Sequence, residues 1–333
     1  GFITLFSAGY SFPWRIEDQL RNILVAGTVM LLFAMIPIRL LKKVSLPIFL
    51  AGCLLLLATH FFGVTVKGAT RWLNVGIRIQ PSEIMKLGVP LMLAWYYHVR
   101  GEHVAWWDHI VAFLFLAVPV GFILKQPDLG TAVLVAIAGF SVIFFAGLNW
   151  KVIALGVTGV LVSLPVVWNF LYDYQRERIL TLIDPTNDPL GRGFHTLQSL
   201  IAIGSGGVFG KGWMEGTQAH LDFIPERTSD FLFAVFSEEF GFVGNIVLLV
   251  LYTLLIGRSF FIAATASSRF ARLLSASIGV IFFTYTFVNM GMVSGILPVV
   301  GVPLPFMSYG GTALLILGMC SGILLSVGID SEA

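Results

Sequence analysis

Residues 131–171 read TAVLVAIAGFSVIFFAGLNWKVIALGVTGVLVSLPVVWNFL, and this stretch decides the fold class. It carries a single charged residue, Lys151, between two long apolar runs. A membrane-spanning helix needs about 20 consecutive apolar residues, so the runs predict two such helices, 131–149 and 151–171. The runs are continuous and do not alternate with polar residues, which argues against the strands of roughly ten residues that build outer-membrane barrels.

The whole chain shares this character. Of its 333 residues, 57% are hydrophobic and 11% are charged, and the mean hydropathy is +0.90. A soluble domain carries about 25% charged residues, so the composition excludes a soluble enzyme, a disordered chain and a disulfide-stapled secreted module. Cys53 and Cys320 lie in apolar runs and are interpreted as core residues. The net charge is +2 without a large basic patch, so we predict no nucleic-acid partner.

The apolar runs predict an all-α polytopic membrane protein, a bundle of about ten transmembrane helices. Beyond the two spans above, the predicted spans are 22–41, 45–63, 83–98, 108–124, 230–257, 271–297 and 310–329. The first apolar stretch, 2–10, is too short to span and is interpreted as the outer end of a helix rather than a signal peptide. No linker interrupts the chain, so we predict a single domain over 1–333, with one long extracytoplasmic loop at about 172–229. The apolar stretch 197–203 within that loop predicts an amphipathic or re-entrant helix.

The orientation follows from short loops that carry Lys and Arg without acids. One such loop holds Arg39, Lys42 and Lys43, and the positive-inside rule places it on the cytoplasmic face. The dense polar motifs then lie on the opposite, outer face.

The first outer motif covers residues 67–87 and is rich in cations. Pro81 predicts the first turn of a helix, where the helix dipole favours Glu83. Lys86 then lies at membrane depth, where an ammonium group is costly unless it is paired or faces a cavity. Either Lys86 extends to the headgroups or pairs with Glu83, or it belongs to a site.

Acidic residues mark the starts of two predicted spans. Asp128 and Asp230 could each simply cap the helix that follows, and Ser229 is a second candidate for the later cap. Glu238 and Glu239 lie two turns further on, inside an apolar helix, where acids usually face a cavity or a cation.

Two glycine-rich stretches remain. In 204–213, Lys211 suggests a phosphate loop, but Ser205 replaces the first glycine of that motif and Gly212 replaces its Ser or Thr, so ATP use is not supported. The loop at 298–305 is nearly uncharged and rich in Gly and Pro. Broken backbone at membrane depth lines a cavity or is buried in protein, and a plain tight turn is the alternative.

Several cations and a candidate base therefore share one face of the predicted bundle. Cations attract phosphate groups, and a carboxylate held near them can take a proton from a hydroxyl. These residues indicate a site for an anionic, lipid-borne substrate at the outer leaflet.

A series of strings, in order, resembles the SEDS family of bacterial cell-wall polymerases along nearly the whole chain. They are KGATRWL, QPSEIMKL, QPDLGT, YQRERILTLIDPTNDPLGRG, IGSGGVFGKGW, GTQ, PERTSDFLFA and PFMSYGGTA. The stretch NMGMVSGILPVVGVPLPFMSYGG at 289–311 is similar to the elongation branch of the family. The division branch typically has LPTKGLTLP in that loop.

The resemblance implies a SEDS-type bundle and an enzyme, a peptidoglycan glycosyltransferase. Members of the family polymerise lipid II into glycan strands and release undecaprenyl pyrophosphate. They work with a class B penicillin-binding protein, a transpeptidase, within the elongation machinery that maintains rod shape. The implied location is the bacterial cytoplasmic (inner) membrane, with the active site facing the periplasm.

The family's essential acid falls at Asp230, which the resemblance makes the general base for the 4-hydroxyl of the acceptor sugar. The family motif most often has His-Thr before this acid, where the chain has Thr-Ser. Arg71, Arg78 and Lys86 match the cations of the family's cavity and would hold pyrophosphate. The matched motifs add further candidate substrate-binding residues, namely Lys67, Gln80, Glu83, Asp128, Glu226 and Arg227. Pyrophosphate commonly recruits Mg²⁺, so a divalent cation is a candidate cofactor, but no ligand set stands out.

Two other functions remain open. A lipid II flippase or transporter also uses broken helices and intramembrane charges, although no clear inverted repeat appears in the order of the motifs. A catalytically inert scaffold for the penicillin-binding protein would leave the cluster of cations without a role.

Overall fold

The computed structural model describes residues 1–10, 13–66, 69–74, 78–171, 176–177, 180–182, 192–221, 223–224 and 226–332. Helices dominate these ranges. Their bounds, in chain order, are α1 (Phe2–Ala8), α2 (Pro13–Ala34), α3 (Ile38–Phe62), α4 (Pro81–Arg100), α5 (Trp106–Lys125), α6 (Leu129–Phe145), α7 (Trp150–Phe170), α8 (Arg192–Ser205), α9 (Thr217–His220), α10 (Leu232–Thr265), α11 (Arg269–Val293) and α12 (Gly311–Glu332).

Short strands connect α3 to α4. They are β1 (Val64–Val66), β2 (Ala69–Asn74) and β3 (Arg78–Ile79). β2 pairs antiparallel with both neighbours, with Val64 opposite Trp72 and Leu73 opposite Ile79. The sequence analysis missed these strands, although the Val-Thr-Val of β1 is β-branched and favours a strand. β2 packs against α3 and α4 and carries Arg71.

The helices have the length and surface of membrane spans. Within the described ranges, five are long and apolar enough to cross a membrane by length and composition, namely α3, α5, α10, α11 and α12. Apolar side chains also point outward: on α7, Leu155 is 74% exposed and Phe170 is 81% exposed. Water disfavours such a surface, whereas lipid solvates it. The chain is therefore an all-α polytopic membrane protein, as the composition predicts.

The predicted spans from 83–98 onward each coincide with one helix, and the helix predicted at 197–203 lies within α8. The boundary between the first two spans is wrong, because the chain turns at 35–37 and not near 42–44. Pro37 explains the difference, since proline disfavours a helical conformation in the residue before it, and it occupies the N-cap of α3. The three cations predicted for the loop consequently lie in the first turns of α3.

The chain groups into two compact units. Unit 1 comprises Gly1–Ile16, Leu148–Val250 and Thr286–Tyr309, and unit 2 comprises Glu17–Gly147, Leu251–Tyr285 and Gly310–Ala333. Three of the five unit boundaries fall inside helices, namely α2, α10 and α11. The single domain over 1–333 stays a prediction.

α4 is the centre of unit 2. It packs against α3, α5 and α6, and Met85, Val89 and Leu93 on it are fully buried. The packing against α3 is close, because a Cβ on Gly52 would lie 2.2 Å from Sδ of Met85. A charge on such a helix is costly unless it finds a partner.

In unit 1, α10 is interrupted at Gly241, whose φ of 66° and ψ of −162° are not helical. A break frees backbone groups on both sides, and these must find partners where water is scarce. Residues 206–212, here called the glycine strap, supply the partners. The N–H groups of Lys211 and Gly212 donate to the carbonyls of Glu238 and Glu239 at 3.0 and 3.1 Å, and the N–H groups of Phe242 and Val243 donate to the carbonyls of Gly207 and Val208 at 2.9 and 3.0 Å.

Close approach of the two backbones requires glycine at the contact. A Cβ on Gly210 would lie 2.1 Å from the carbonyl oxygen of Glu239, and a Cβ on Gly241 would lie 2.2 Å from the nitrogen of Gly210. The motif IGSGGVFGKGW, which only partly resembles a phosphate loop, therefore serves as the partner of a broken helix.

Candidate functional site

Asp128 organises the polar residues at the start of α6 in unit 2. It occupies the N-cap, where its carboxylate accepts from the backbone N–H and the hydroxyl of Thr131 at 3.2 and 3.0 Å. Its Oδ2 also accepts from Nε2 of Gln80 at 3.1 Å and lies 3.5 Å from Nη1 of Arg71. The capping alternative is therefore correct for Asp128, and the same carboxylate joins two other predicted site residues. Arg71 keeps 30% of its side chain exposed, which leaves it accessible to a ligand.

Lys86 is buried in α4, with 4% of its side chain exposed. Its Nζ lies 2.6 Å from Oε1 of Glu83 and donates to the hydroxyl of Tyr285 at 2.6 Å. The second oxygen of Glu83, Oε2, is buried without a hydrogen-bond partner among the described residues. This geometry favours the structural pair for Lys86, and its contact with pyrophosphate stays a prediction.

Two of the predicted cations are not placed by the structure. Lys67 lies outside the described residues, and so does the side chain of Arg78. The backbone of Arg78 begins β3 and pairs with Asn74. Their roles stay predictions.

An apolar cavity of about 660 Å³ lies beside α4 in unit 2. α3 lines it with Leu41, Pro47 and Ile48, and α4 lines it with Ile84 and Leu91. Since the residues around it are apolar, the cavity suits a hydrocarbon chain rather than a polar ligand.

Asp230 lies in unit 1, in the turn before α10, and its side chain is half-buried. α10 begins at Leu232, so the residue before its first turn is Phe231, neither Asp230 nor Ser229. Asp128 directly precedes α6 as its N-cap, whereas one residue separates Asp230 from α10, and a capping role for Asp230 stays a prediction.

Four hydrogen bonds tie the turn that carries Asp230 to other segments of unit 1. They run from Nε of Arg227 to the carbonyl of Ala8 (2.8 Å), from Nη1 of Arg15 to the hydroxyl of Thr228 (2.5 Å), from the N–H of Tyr309 to the carbonyl of Thr228 (2.8 Å) and from Nδ2 of Asn289 to the carbonyl of Asp230 (2.9 Å). Arg227, predicted to bind substrate, is thus a buried anchor of the turn. Glu226, predicted likewise, is exposed at the start of the turn with a φ of 52°.

Glu238 meets the cation that the sequence analysis expected for an acid in α10. It is fully buried, and its Oε1 lies 2.6 Å from Nζ of Lys211. The backbone N–H groups of Thr217 and Gln218 also donate to Oε1, at 2.9 and 3.2 Å. Its neighbour Glu239 accepts from the hydroxyl of Ser7. These contacts attach the glycine strap and the GTQ motif to α10.

Among the described residues, no three His, Cys, Asp or Glu side chains lie close enough together to hold a metal ion. A Mg²⁺ ion held by one or two carboxylates and by substrate phosphates would not need such a group. The divalent cation therefore stays a prediction.

The fold and these clusters define a polytopic membrane protein with an anchored, half-buried acid in one unit and a partly exposed arginine in the other. A family model described as FtsW, RodA and SpoVE cell cycle protein matches residues 6–332. The chain therefore belongs to this family.

Individual relatives and solved structures agree with that membership. Peptidoglycan glycosyltransferase MrdB of Escherichia coli (strain K12) is 45% identical over 327 residues, which cover 98% of this chain and 88% of MrdB. A chain from a structure on the coordination of polymerization and crosslinking by a peptidoglycan synthase complex is 32% identical, with a TM-score of 0.84 and 99% and 94% of the two chains covered. Rod shape determining protein RodA of Thermus thermophilus is 29% identical, with a TM-score of 0.72 and 100% and 92% covered.

The sequence analysis missed three of the four residues that anchor the Asp230 turn, and it gave the fourth, Arg227, a substrate-binding role. Asn289 and Tyr309 lie in quoted motifs but received no role. A polar amide inside an apolar helix is the signal that indicates Asn289, because a buried amide must find partners. Arg15 offers no such signal, since its partner lies 213 positions away along the chain.

Proposed function

We propose that the protein is a peptidoglycan glycosyltransferase that polymerises lipid II into glycan strands during cell elongation. The observation that carries the proposal is Asp230, a half-buried acid in a turn that four hydrogen bonds anchor. A general base needs a fixed backbone and a side chain that substrate can reach. Membership of the family over residues 6–332 supports the reaction class, since the relative MrdB is named a peptidoglycan glycosyltransferase.

In the proposed step, the 4-hydroxyl of the acceptor sugar attacks the anomeric carbon of the donor. Its proton passes to the carboxylate of Asp230 as the new glycosidic C–O bond forms. The bond between the anomeric carbon and the pyrophosphate oxygen breaks, and undecaprenyl pyrophosphate leaves with the electron pair.

Arg71 is the described cation that best suits the pyrophosphate. It is partly exposed, and Asp128 lies beside its guanidinium group. A guanidinium can bind two phosphate oxygens at once. We assign Lys67 and Arg78 to the same task from their place in the motif, and Glu83 and Lys86 support the group through their buried pair in α4.

The apolar cavity beside α4 supports a lipid-borne substrate, because a prenyl chain needs an apolar environment. The cations in the first turns of α3 favour a cytoplasmic position for that end of the helix. α3 then ends, and α4 begins, at the outer face. We therefore propose that Arg71 and its neighbours face the periplasm from a bacterial inner membrane.

The partner we propose is a class B penicillin-binding protein that cross-links the new strands. The support is the similarity to a chain of a peptidoglycan synthase complex, at a TM-score of 0.84. Co-purification of the chain with such a transpeptidase tests this assignment.

The test of the activity is glycan synthesis from lipid II by purified protein in detergent. Loss of a general base costs about 10²–10⁴ in rate, so Asp230→Asn should polymerise that much more slowly with an unchanged Tm. Asp18→Asn is the matched control, because Asp18 forms a surface ion pair with Arg21 at 2.8 Å. Polymerisation by Asp230→Asn at close to the wild-type rate would contradict the assignment.

Detergent also separates this proposal from a flippase, because a micelle has no two sides between which lipid II could move. Wild-type protein that makes no glycan in micelles, yet moves lipid II across a vesicle membrane, would favour a transporter. An inert scaffold would do neither and would still bind the transpeptidase.

A further inference from the structure

Asn289 in α11 is fully buried and holds two separate segments. Its Nδ2 donates to the carbonyl of Asp230 at 2.9 Å and to the carbonyl of Val302 at 2.6 Å. Because both neighbours are acceptors, only the amide nitrogen can face them, which fixes the orientation of the side chain. Its Oδ1 is buried without a hydrogen-bond partner in the described part of the chain.

The segment at Val302 borders the carboxylate of Asp230. The preceding residue, Gly301, has a φ of 75°, and a Cβ there would lie 3.3 Å from Oδ2 of Asp230. Because position 301 is glycine, there is space beside Oδ2 that any side chain would reduce. Asn289 fixes the width of this space, because it holds the backbone at both Asp230 and Val302.

We infer that Asn289 is a positioning residue for Asp230, and that Gly301 keeps the approach to Oδ2 open for the acceptor hydroxyl. This inference rests on the proposed function and deepens it. A hydroxyl must come within about 2.6–3.2 Å of the base that takes its proton. A methyl group at position 301 would compete for that space, and loss of the Asn289 amide would change the distance between the loop and the carboxylate. Neither residue takes or gives a proton.

The first experiment compares Asn289→Leu with Asn245→Leu in the lipid II assay. Asn289→Leu removes both donors at nearly constant volume, and a misplacement of about 1 Å costs about 10²-fold in kcat. KM should stay unchanged, because Asn289 does not touch substrate. Asn245 is the matched control, since it lies in the same unit but contacts the hydroxyl of Ser237 at 3.0 Å. A merely structural role for Asn289 predicts a lower Tm with an unchanged kcat per folded molecule, and that result would overturn the inference.

The second experiment compares Gly301→Ala with Gly295→Ala. The two glycines have similar φ values, 75° and 70°, so alanine strains the backbone alike at both. A Cβ at Gly295 would lie an ordinary 3.5 Å from Leu200. Gly301→Ala should therefore have a kcat about tenfold or more below that of Gly295→Ala, at a similar Tm. Equal kcat values for the two variants would overturn the role of Gly301.

Wild-type protein and Asp230→Asn in the same assay distinguish a failure of the proposed function from a failure of this inference. Wild-type protein that makes no glycan overturns the proposed function and this inference with it. The inference alone is overturned if wild-type protein is active and Asp230→Asn is inactive, while Asn289→Leu keeps the wild-type kcat and the two glycine variants have equal kcat values. If Asn289→Leu does not fold, the pair of glycine variants decides.

Discussion

Asp128 and Asp230 look alike in the sequence and differ in the structure. Each precedes an apolar helix, and each is a candidate N-cap. Asp128 is that cap: it is buried, and its carboxylate meets donors from Thr131 and Gln80. Asp230 lies one residue before the N-cap position of its helix and is half-buried, and its backbone carbonyl is held by Asn289.

The comparison distinguishes two roles of an acid that precedes a helix, namely capping the helix and acting as a base. A carboxylate that caps a helix and receives several hydrogen bonds contributes to stability. The backbone of Asp230 is instead fixed by the amide of Asn289, and we propose that its side chain serves as the general base. A shift of one residue relative to the start of the helix separates the two cases.

The same substitution at both positions, aspartate to asparagine, tests this comparison and should give the largest effect. Asp230→Asn should lower the rate of polymerisation about 10²–10⁴-fold at an unchanged Tm. Asp128→Asn should instead lower the free energy of unfolding by about 1.5–3 kcal/mol, because it weakens hydrogen bonds to a charged group. Thermal unfolding in detergent and lipid II turnover, measured on both variants, give the two readouts. A fall in Tm for Asp230→Asn equal to that for Asp128→Asn would erase the distinction.

Lys86→Met extends the comparison to a buried acid with few partners. It leaves Glu83 charged and unpaired inside α4, so the free energy of unfolding should fall by about 3–5 kcal/mol. A second change, Glu83→Gln, removes the stranded charge and should recover most of this loss. Turnover that drops in Lys86→Met while Tm holds would place Lys86 in the pyrophosphate site instead.

Lys211→Met should have a smaller effect, although its ion pair has the same length of 2.6 Å. Glu238 keeps the donors from the backbone of Thr217 and Gln218. The expected loss is therefore about 1.5–3 kcal/mol, the range for one hydrogen bond to a charged group. Thermal unfolding of Lys211→Met and Lys86→Met, measured side by side, compares the two losses in free energy of unfolding. Equal losses would show that the remaining donors to Glu238 do not matter.

Thr131→Val gives the smallest expected change. It removes one hydroxyl donor from Asp128 and leaves the backbone donor of the same residue in place. The free energy of unfolding should fall by about 0.5–1.5 kcal/mol, with Asp230-dependent turnover unaffected. An effect as large as that of Asp128→Asn would mean that the hydroxyl dominates the cap.

The sequence predicted what depends on neighbours along the chain and missed what depends on distant ones. Apolar runs located the spans, and Pro81 located the start of α4. The resemblance, rather than any local pattern, singled out Asp230. The anchor from Asn289 joins residues 59 positions apart, and no periodicity or motif encodes such a pairing. The break at Gly241 was likewise missed, because a lone glycine in an apolar helix is compatible with an unbroken one.

The break at Gly241 also bears on how the chain enters its membrane. At about 1.5 Å per residue, residues 242–265 extend about 36 Å, enough to cross the hydrocarbon core without the part before the break. Translation makes the glycine strap before α10, so the peptide groups that complete the break already exist when the second half of α10 inserts. Glu238 and Glu239 precede the break and are not needed for that crossing. We therefore expect the hydrogen bonds between α10 and the glycine strap to form after residues 242–265 have inserted.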